Sequence, residues 1–427
     1  MQKEHPGVER IEVRKLIEEL GIDGACRTAE EYFAQLEPSI LAKPFNNINE
    51  TPELLSCLAQ VLQGLNLFPQ LTVLDFGAGS CWISRFLTQL GLKVIALDVS
   101  QTALKMGNEL YQRQPVFGDQ PKPAFLHFDG RSIDLDDASV DRIICFDALH
   151  HTPYPGEVIK ELGRVLKVGG IAGFSEPGPE HSQLQQSQAE MRMYRTVEND
   201  IHIEEIWETA QSAGFTDLKL AVFNPNLFLL PLGEFQDYVA GAGSGLDGYV
   251  EKTRGYQQGH RVFFLYKGES SIPVDSRQQA GLLAELHVKL SSQRVAEGDL
   301  IHISVAVENT GQAVWLPTTG IDESKHGAAS IFDEHGILLK ENLQRGAVHL
   351  GVHLYDRQGR LLERDYSRHL LTPDARPVRP RETLQFKTTL ASPPKGSYLL
   401  EFDLVSEWVC WFEANSSKTV RVEFEVS

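Results

Sequence analysis

The chain has few cysteines, and their spacing suits neither a zinc site nor a disulfide framework. Its 427 residues contain five, scattered along the chain with no CxxC pair: Cys26, Cys57, Cys81, Cys145 and Cys410. This usage predicts free thiols in a reducing compartment.

Long apolar runs and positive charge are also lacking. No run approaches the roughly 20 apolar residues needed to cross a bilayer. The first residues are charged throughout and lack the apolar core of a signal peptide. We therefore expect a cytoplasmic protein. The net charge of −18 disfavours nucleic acid as a partner, because neutralising phosphates dominates such binding, and it disfavours acidic membrane surfaces for the same reason.

The length predicts two or three domains. Residues 1–60 are predicted to form a helical amino-terminal cap, in which the first helix ends at Gly21 and a second begins at Thr51-Pro52.

Residues 61–267 alternate short apolar runs with helical segments. Near-continuous apolar runs are typical of strands buried on both faces of a parallel sheet. The runs are TVLDF (72–76), KVIALD (93–98), AFLHFD (124–129), RIICFDAL (142–149), IAGFSEP (171–177), LKLAVF (218–223) and RVFFLYK (261–267). The pattern predicts an α/β fold with a doubly wound, seven-stranded, Rossmann-like sheet. Its ligands should lie beyond the carboxyl ends of the strands. The long segment between the last two strands is interpreted as a lid or a substrate-facing insertion.

The remaining residues follow a different pattern. Residues 268–282 are polar, contain proline and glycine, and are interpreted as a linker. In residues 283–427 apolar and polar positions alternate between turn signals, which predicts an antiparallel β-sandwich.

The stretch LDFGAGS (74–80) ends the first predicted strand with an acid and two glycines. A glycine turn at that point lets the backbone approach a ligand closely. The carboxylate of Asp75 would be unfavourable beside a dinucleotide pyrophosphate and favourable beside the cationic amino group and sulfonium of S-adenosylmethionine. Asp98, at the end of the next strand, can accept hydrogen bonds from ribose hydroxyls in either cofactor. Asp129 ends the third strand, where it can accept the adenine amine, and Phe146 lies at the end of the fourth.

These motifs resemble the class I S-adenosylmethionine-dependent methyltransferases, particularly their type 11 branch. The resemblance covers about residues 60–270 and rests on VLDFGAGS, VIALDVS, HFDGRSIDLDDASVDRIICFDALHH and RVLKVGGIAGFSEPG. It implies that Asp75, Gly77 and Gly79 line the methionine end of the cofactor, that Asp98 holds the ribose, and that Asp129 with Gly130 meets adenine. Ser80 stands where the family usually has a third glycine. The alternative is a scaffold of the same fold without a cofactor.

The acceptor is predicted to be a hydroxyl group. The DPPY-type motif of nucleobase amino methyltransferases is absent after the fourth strand, where the sequence is FDALHHTPYP. A hydroxyl must lose its proton, and histidine is suited to that task near neutral pH. His181 is the preferred general base with Glu176 orienting it or the substrate, and His150 and His151 are second candidates. A surface or packing role remains open for each histidine. No set of residues has convincing metal-ligand spacing, so no metal is predicted.

The carboxyl-terminal region resembles immunoglobulin-like domains found beside bacterial glycan-handling enzymes, including the carbohydrate-binding domain of O-antigen exporters. The resemblance rests on VENTGQAVWLP, LGVHLYDRQGRLL, LASPPKGSYLLEFDLVSEWVCWF and VRVEFEV. It implies a saccharide acceptor, with Trp408 and Trp411 stacking on sugar rings or else packing in the core. Two other functions remain open: a small-molecule methyltransferase whose sandwich serves dimerisation, and a catalytically silent glycan-binding scaffold.

Overall fold

A computed structural model of the chain describes residues 10–69, 71–118, 120–242, 246–268, 275–318, 344–372 and 376–427. The chain divides into two compact units, Met1–Ser270 and Ser271–Ser427. Residues 275–282, predicted to be linker, pack within the second unit, where Ser276 and Leu282 are fully buried. Among the described residues, no helix is both long enough and apolar enough to span a bilayer.

The first unit is built on a mixed seven-stranded sheet in the order β3-β2-β1-β4-β5-β7-β6. All neighbouring strands are parallel except β7, which runs antiparallel to β5 and β6. The strands are β1 Thr72–Phe76, β2 Lys93–Asp98, β3 Ala124–His127, β4 Val140–Phe146, β5 Leu166–Pro177, β6 Phe215–Leu220 and β7 His260–Lys267. The predicted Rossmann-like, seven-stranded sheet is confirmed. Its central strands are almost wholly buried, which explains why their sequences are apolar without alternation.

Nine α-helices lie among the described residues. They are α1 Val13–Gln35, α2 Thr51–Gly64, α3 Trp82–Gln89, α4 Gln101–Arg113, α5 Pro155–Val165, α6 Gln185–Tyr194, α7 Ile203–Ser212, α8 Leu232–Val239 and α9 Asp247–Gly259. Helix α1 is interrupted at Gly21, where the first helix was predicted to end, because Gly21 adopts a non-helical φ of 59° and ψ of −170°; a second helical stretch follows it up to Gln35. Helices α8 and α9 occupy the insertion predicted to face the substrate, and α8 has no buried residue.

Helix α1 is anchored to the start of α4 by one carboxylate. Glu30 accepts hydrogen bonds from the hydroxyl of Ser100 at 2.6 Å and from the backbone nitrogen and hydroxyl of Thr102 at 3.1 and 2.5 Å. A carboxylate at a helix N-terminus satisfies unpaired backbone N–H groups and complements the helix dipole. Glu30 therefore holds α1 next to the carboxyl end of β2.

The second unit contains two β-sheets, in the orders β13-β10-β8 and β12-β11-β14-β16-β9, with β15 paired to β14. The strands are β8 Ala284–Leu290, β9 Arg294–Val295, β10 Leu300–Asn309, β11 Val348–Asp356, β12 Leu361–Leu370, β13 Thr383–Ala391, β14 Gly396–Ser406, β15 Cys410–Trp411 and β16 Val420–Val426. One hydrophobic core joins side chains from both sheets, including Ile303, Leu350 and Phe402.

The two tryptophans of this unit differ in their surroundings. The indole of Trp411 covers Gly351, where a Cβ would come within 2.4 Å of the ring. The guanidinium carbon of Arg368 lies 4.7 Å from the centre of the same indole. Trp411 is thus a packing residue. Trp408 is 61% exposed.

Candidate active site

A cavity of about 1090 Å³ lies in the first unit, at the carboxyl ends of the parallel strands. Loops that follow β1, β2, β3 and β4 form its walls, together with residues of α1, α6 and α9. Pockets for small molecules usually measure about 300–1,000 Å³. This cavity has room for a nucleoside-sized ligand and a second small molecule together.

The glycine turn after β1 forms one wall. The backbone nitrogens of Gly77 and Ala78 donate to the carbonyl oxygen of Leu97 at 2.8 and 3.0 Å, which ties the turn to β2. Gly77 has a φ of 70°, and a Cβ there would lie 2.3 Å from the Cβ of Ala148. Gly79 has a φ of 53° and faces the ring of Phe33. Glycine is therefore required at 77 by both conformation and contact.

Asp98 is held rigidly in the same wall. One carboxylate oxygen accepts from the backbone nitrogen of Gly79 and the other from that of Ser100, both at 2.8 Å. Burial raises the pKa of this carboxyl, and the two backbone donors oppose that effect. Since each oxygen keeps further acceptor capacity, Asp98 can bind hydroxyl groups inside the cavity, as predicted for a ribose.

Asp75 and Asp129 are placed differently from the prediction, because neither lines the cavity. The buried carboxylate of Asp75 accepts a hydrogen bond from the hydroxyl of Ser84 on α3 at 2.5 Å. Burial raises the pKa of Asp75 to about 7. Asp129 is exposed, and its carboxylate closes a turn by accepting from the backbone nitrogens of Arg131 and Ser132 at 2.8 and 2.9 Å. Gly130 does line the cavity.

Phe146, the remaining predicted cofactor residue, contributes an apolar wall. Its ring meets the indole of Trp82 edge to face, with ring centres 5.8 Å apart. The ammonium nitrogen of Lys43 lies 5.8 Å from the same indole. These aromatic faces suit the flat, apolar part of a nucleoside ligand.

The carboxylate of Glu176 fixes the conformation of the loop that follows β4. Its side chain is fully buried and accepts from the backbone nitrogens of Ala148, Leu149 and His150 at 3.0, 2.9 and 3.2 Å. The same carboxylate lies 2.7 Å from Nδ1 of His150. Burial raises the pKa of Glu176, whereas the backbone donors oppose the rise. The sequence predicted that Glu176 orients His181 or the substrate; the structure pairs Glu176 with His150.

A second buried carboxylate, Glu198, brings the three histidines together. It lies between α6 and α7, and one of its oxygens is 2.8 Å from Nε2 of His181 and 4.0 Å from Nε2 of His150. Burial favours the neutral acid, yet the hydrogen bond from His181 and the nearby histidines hold the pKa of Glu198 below its ordinary value. Together, His150, His181 and Glu198 form a donor set that could hold a metal ion.

His151 has a different environment from the other two histidines. Its Nδ1 lies 2.9 Å from the carbonyl oxygen of Val197 and 3.4 Å from a carboxylate oxygen of Glu198. Because a carbonyl can only accept, Nδ1 carries the proton and Nε2 of the neutral ring keeps its lone pair. The side chain is 47% exposed and lines the cavity. His151 can therefore accept a proton from a bound molecule.

The charge of the lining is mainly negative. Six acidic residues line the cavity, namely Glu53, Asp98, Asp147, Glu157, Glu190 and Glu198, against the basic residues Lys43 and Arg131. Such a lining favours a ligand of net positive charge over one of net negative charge.

The chain is similar to known methyltransferases over this region. Residues 74–174 match a family model described as a methyltransferase domain. A ubiquinone biosynthesis O-methyltransferase of Nitrosomonas europaea is 30% identical over 156 residues, which cover 34% of this chain and 60% of that protein. A sterol 24-C-methyltransferase of Yarrowia lipolytica is 28% identical over 130 residues, covering 28% and 33% respectively. The chain thus spans less than two thirds of these two relatives.

A rat thiol S-methyltransferase (Rattus norvegicus) is 25% identical over 222 residues, covering 49% of this chain and 84% of that protein. Among solved structures, phosphoethanolamine N-methyltransferase 2 of Haemonchus contortus, in complex with S-adenosyl-L-methionine, is 17% identical with a TM-score of 0.37, covering 61% of this chain and 60% of that one. The family match includes the glycine turn and Asp98, which line the cavity. Residues 74–174 of the chain therefore match a methyltransferase domain, and this match contains the residues that form one wall of the cavity.

Proposed function

We propose that this chain transfers the methyl group of S-adenosylmethionine to a hydroxyl group of a small acceptor molecule. The observation that carries this proposal is the presence, in one acidic cavity, of the glycine turn with Asp98 and of His151 with an available Nε2. The donor supplies a methyl group on a positively charged sulfur, for which a mainly acidic lining is favourable.

The residues of the chain fit that cofactor. Asp98 would hold the ribose hydroxyls, and the backbone of Gly77 to Ser80 would lie along the methionine portion. Phe146 and Trp82 would supply the apolar surface. The protein's main contribution to such a displacement is to align acceptor and donor and to keep water away from them.

His151 is the proposed general base. Its Nε2 would take the hydroxyl proton, and the resulting positive charge on the ring would be stabilised by Glu198, whose oxygen lies 3.4 Å from Nδ1. His181 is less suited to this role, because its Nε2 faces Glu198 at 2.8 Å and the hydroxyl of Ser187 at 3.3 Å. Glu176 acts as a positioning residue through its contacts with the loop that carries His150 and His151.

The acceptor class is proposed to be a saccharide. By their names, the relatives described above methylate oxygen, carbon or sulfur. Similarity to them therefore leaves the acceptor atom open. The choice of a hydroxyl as the acceptor atom rests on His151, and the acidic cavity lining disfavours an anionic acceptor. The exposed indole of Trp408 supports saccharide recruitment by the second unit, since indoles stack on sugar rings.

Two measurements on the full chain test this function. Calorimetry with S-adenosylmethionine and S-adenosylhomocysteine should show binding of both; binding of neither would favour the scaffold alternative. Mass spectrometry after incubation with panels of saccharides and phenols should then show a gain of one methyl group. A glycan array with the native chain and Trp408→Ala should show binding that the substitution abolishes. Silence on the array together with a dimer in light scattering would favour the dimerisation alternative.

A further inference from the structure

We propose that His150, His181 and Glu198 bind one divalent transition-metal ion inside the cavity. One ligand atom from each residue lies within 4.8 Å of the others, and all three residues line the cavity. They come from three separate segments: the loop after β4, the loop after β5 and the loop before α7. The proposal contradicts the expectation of no metal, which rested on spacing along the sequence.

The distances agree with coordination of one ion. Ligand atoms about 2.0–2.2 Å from a metal lie about 3.0–3.6 Å from each other. The observed separations from the same Glu198 oxygen are 2.8 Å to Nε2 of His181 and 4.0 Å to Nε2 of His150. These two values bracket the required range, and the three ligand atoms lie within 4.8 Å of one another, so side-chain rotation must draw the two imidazoles closer together to complete the site.

The surroundings hold the ligands in the manner typical of metal sites. A metal-binding histidine usually donates its other ring nitrogen to a carboxylate or a carbonyl. Nδ1 of His150 lies 2.7 Å from Glu176, which leaves Nε2 free to face Glu198. The loop that carries His181 is fixed by Asp200, which accepts from the backbone nitrogen and hydroxyl of Ser182 at 2.7 and 3.0 Å. The imidazole of His150 is therefore oriented before any ion binds, and the backbone next to His181 is fixed.

The donor set indicates the class of metal. Two imidazoles and one carboxylate suit zinc, iron(II) and their first-row neighbours better than magnesium or calcium, which prefer oxygen ligands. Three protein ligands leave coordination positions open to water or to a bound molecule. Because these positions face the cavity, an acceptor oxygen could occupy one of them. Metal binding itself does not rest on the proposed methyl transfer.

Metal binding by the full chain, after chelator treatment and without cofactor, tests the proposal. Cobalt(II) titration followed by visible absorption, and zinc titration followed by calorimetry, should each show one equivalent bound. Glu198→Gln and His181→Ala should weaken binding by at least about 100-fold, since even outer residues of such sites contribute about 10- to 100-fold. His202→Ala, which removes an exposed histidine at the start of α7, is the matched control and should leave binding unchanged.

A second measurement does not depend on the folding of any variant. X-ray absorption of the zinc-loaded native chain should show two imidazole ligands and an oxygen ligand. The proposal would be overturned if the native chain failed to bind one equivalent of metal or if the spectra showed cysteine ligands. It would also be overturned if Glu198→Gln kept metal binding while His202→Ala lost it. Circular dichroism and affinity for S-adenosylhomocysteine report separately on folding and on the cofactor site, so failure of one proposal is distinguishable from failure of the other.

Discussion

Nδ1 of His150 and a carboxylate oxygen of Glu176 lie 2.7 Å apart, and both side chains are buried. Glu176 belongs to β5, whereas His150 lies on the loop that follows the neighbouring strand β4. Since the same carboxylate also accepts from three backbone nitrogens, it keeps that loop in one conformation. His151, the next residue, is thereby positioned without touching Glu176 itself.

Replacing His151 should remove the proposed base without harming the cofactor site. We expect His151→Ala to lower turnover by about 10²- to 10⁴-fold, the usual contribution of general base catalysis. Affinity for S-adenosylhomocysteine should be unchanged, because the change lies outside the glycine turn and Asp98. Steady-state kinetics and calorimetry measure the two quantities, with His202→Ala as control. Normal turnover in His151→Ala would exclude His151 as the base.

Replacing Asp98, in contrast, should weaken binding at the cofactor site. Asn at this position can accept from only one of the two backbone donors, and it presents an amide N–H₂ to the other. We expect Asp98→Asn to weaken S-adenosylhomocysteine binding by about 1.5–3 kcal/mol, or roughly 10- to 150-fold. Calorimetry measures the loss. Asp134→Asn, a change of an exposed acid, serves as control. Equal affinities in the two variants would remove Asp98 from the binding site.

Alanine substitutions at Gly77 and Gly169 distinguish the free-energy cost of backbone strain from that of a steric clash. Both have positive φ, 70° and 82°, but a Cβ at Gly169 meets no atom within 4 Å. Gly169→Ala should therefore cost about 1–2 kcal/mol from conformation alone. Gly77→Ala should cost roughly 1–3 kcal/mol more, because its Cβ would collide with Ala148. Denaturant unfolding of the two variants measures the difference, and equal losses would contradict the close approach of the two loops.

The buried carboxyl of Asp75 should make stability depend on pH. Its pKa rises from 3.8 in the free side chain to about 7 in the folded protein. Between these values the folded form retains a proton that the unfolded chain releases, so stability falls as pH rises, by at most about 1.4 kcal/mol per pH unit. Asp75→Asn should lack this decline, while Asp134→Asn should follow the native protein. Parallel pH profiles for the native chain and Asp75→Asn would refute the shift.

The sequence predicted the seven-stranded sheet well. The run TVLDF coincides with β1, Thr72–Phe76, since five apolar-rich residues before a glycine turn have few alternative structures. The run 142–149 overshoots β4, which ends at Phe146, because Asp147 adopts a φ of 49° and turns the chain away. Local composition therefore locates strands more reliably than it locates their ends.

The hydrogen-bond partners of the buried carboxylates could not be predicted from the sequence. Asp75 turns to Ser84, nine positions later on α3, rather than toward the cavity. Glu198 meets His150 from 48 positions away and His181 from 17, with no periodic pattern connecting them. Such contacts depend on tertiary packing alone.

The attachment of α1 through Glu30 bears on how bound molecules exchange with solvent. Departure of α1 would break three hydrogen bonds to a carboxylate, each worth about 1.5–3 kcal/mol. It would also deprive the N-terminus of α4 of its counter-charge. A bound molecule whose exit required α1 to move would therefore be retained longer. For such a molecule the residence time would depend in part on Ser100 and Thr102, two residues that do not line the cavity.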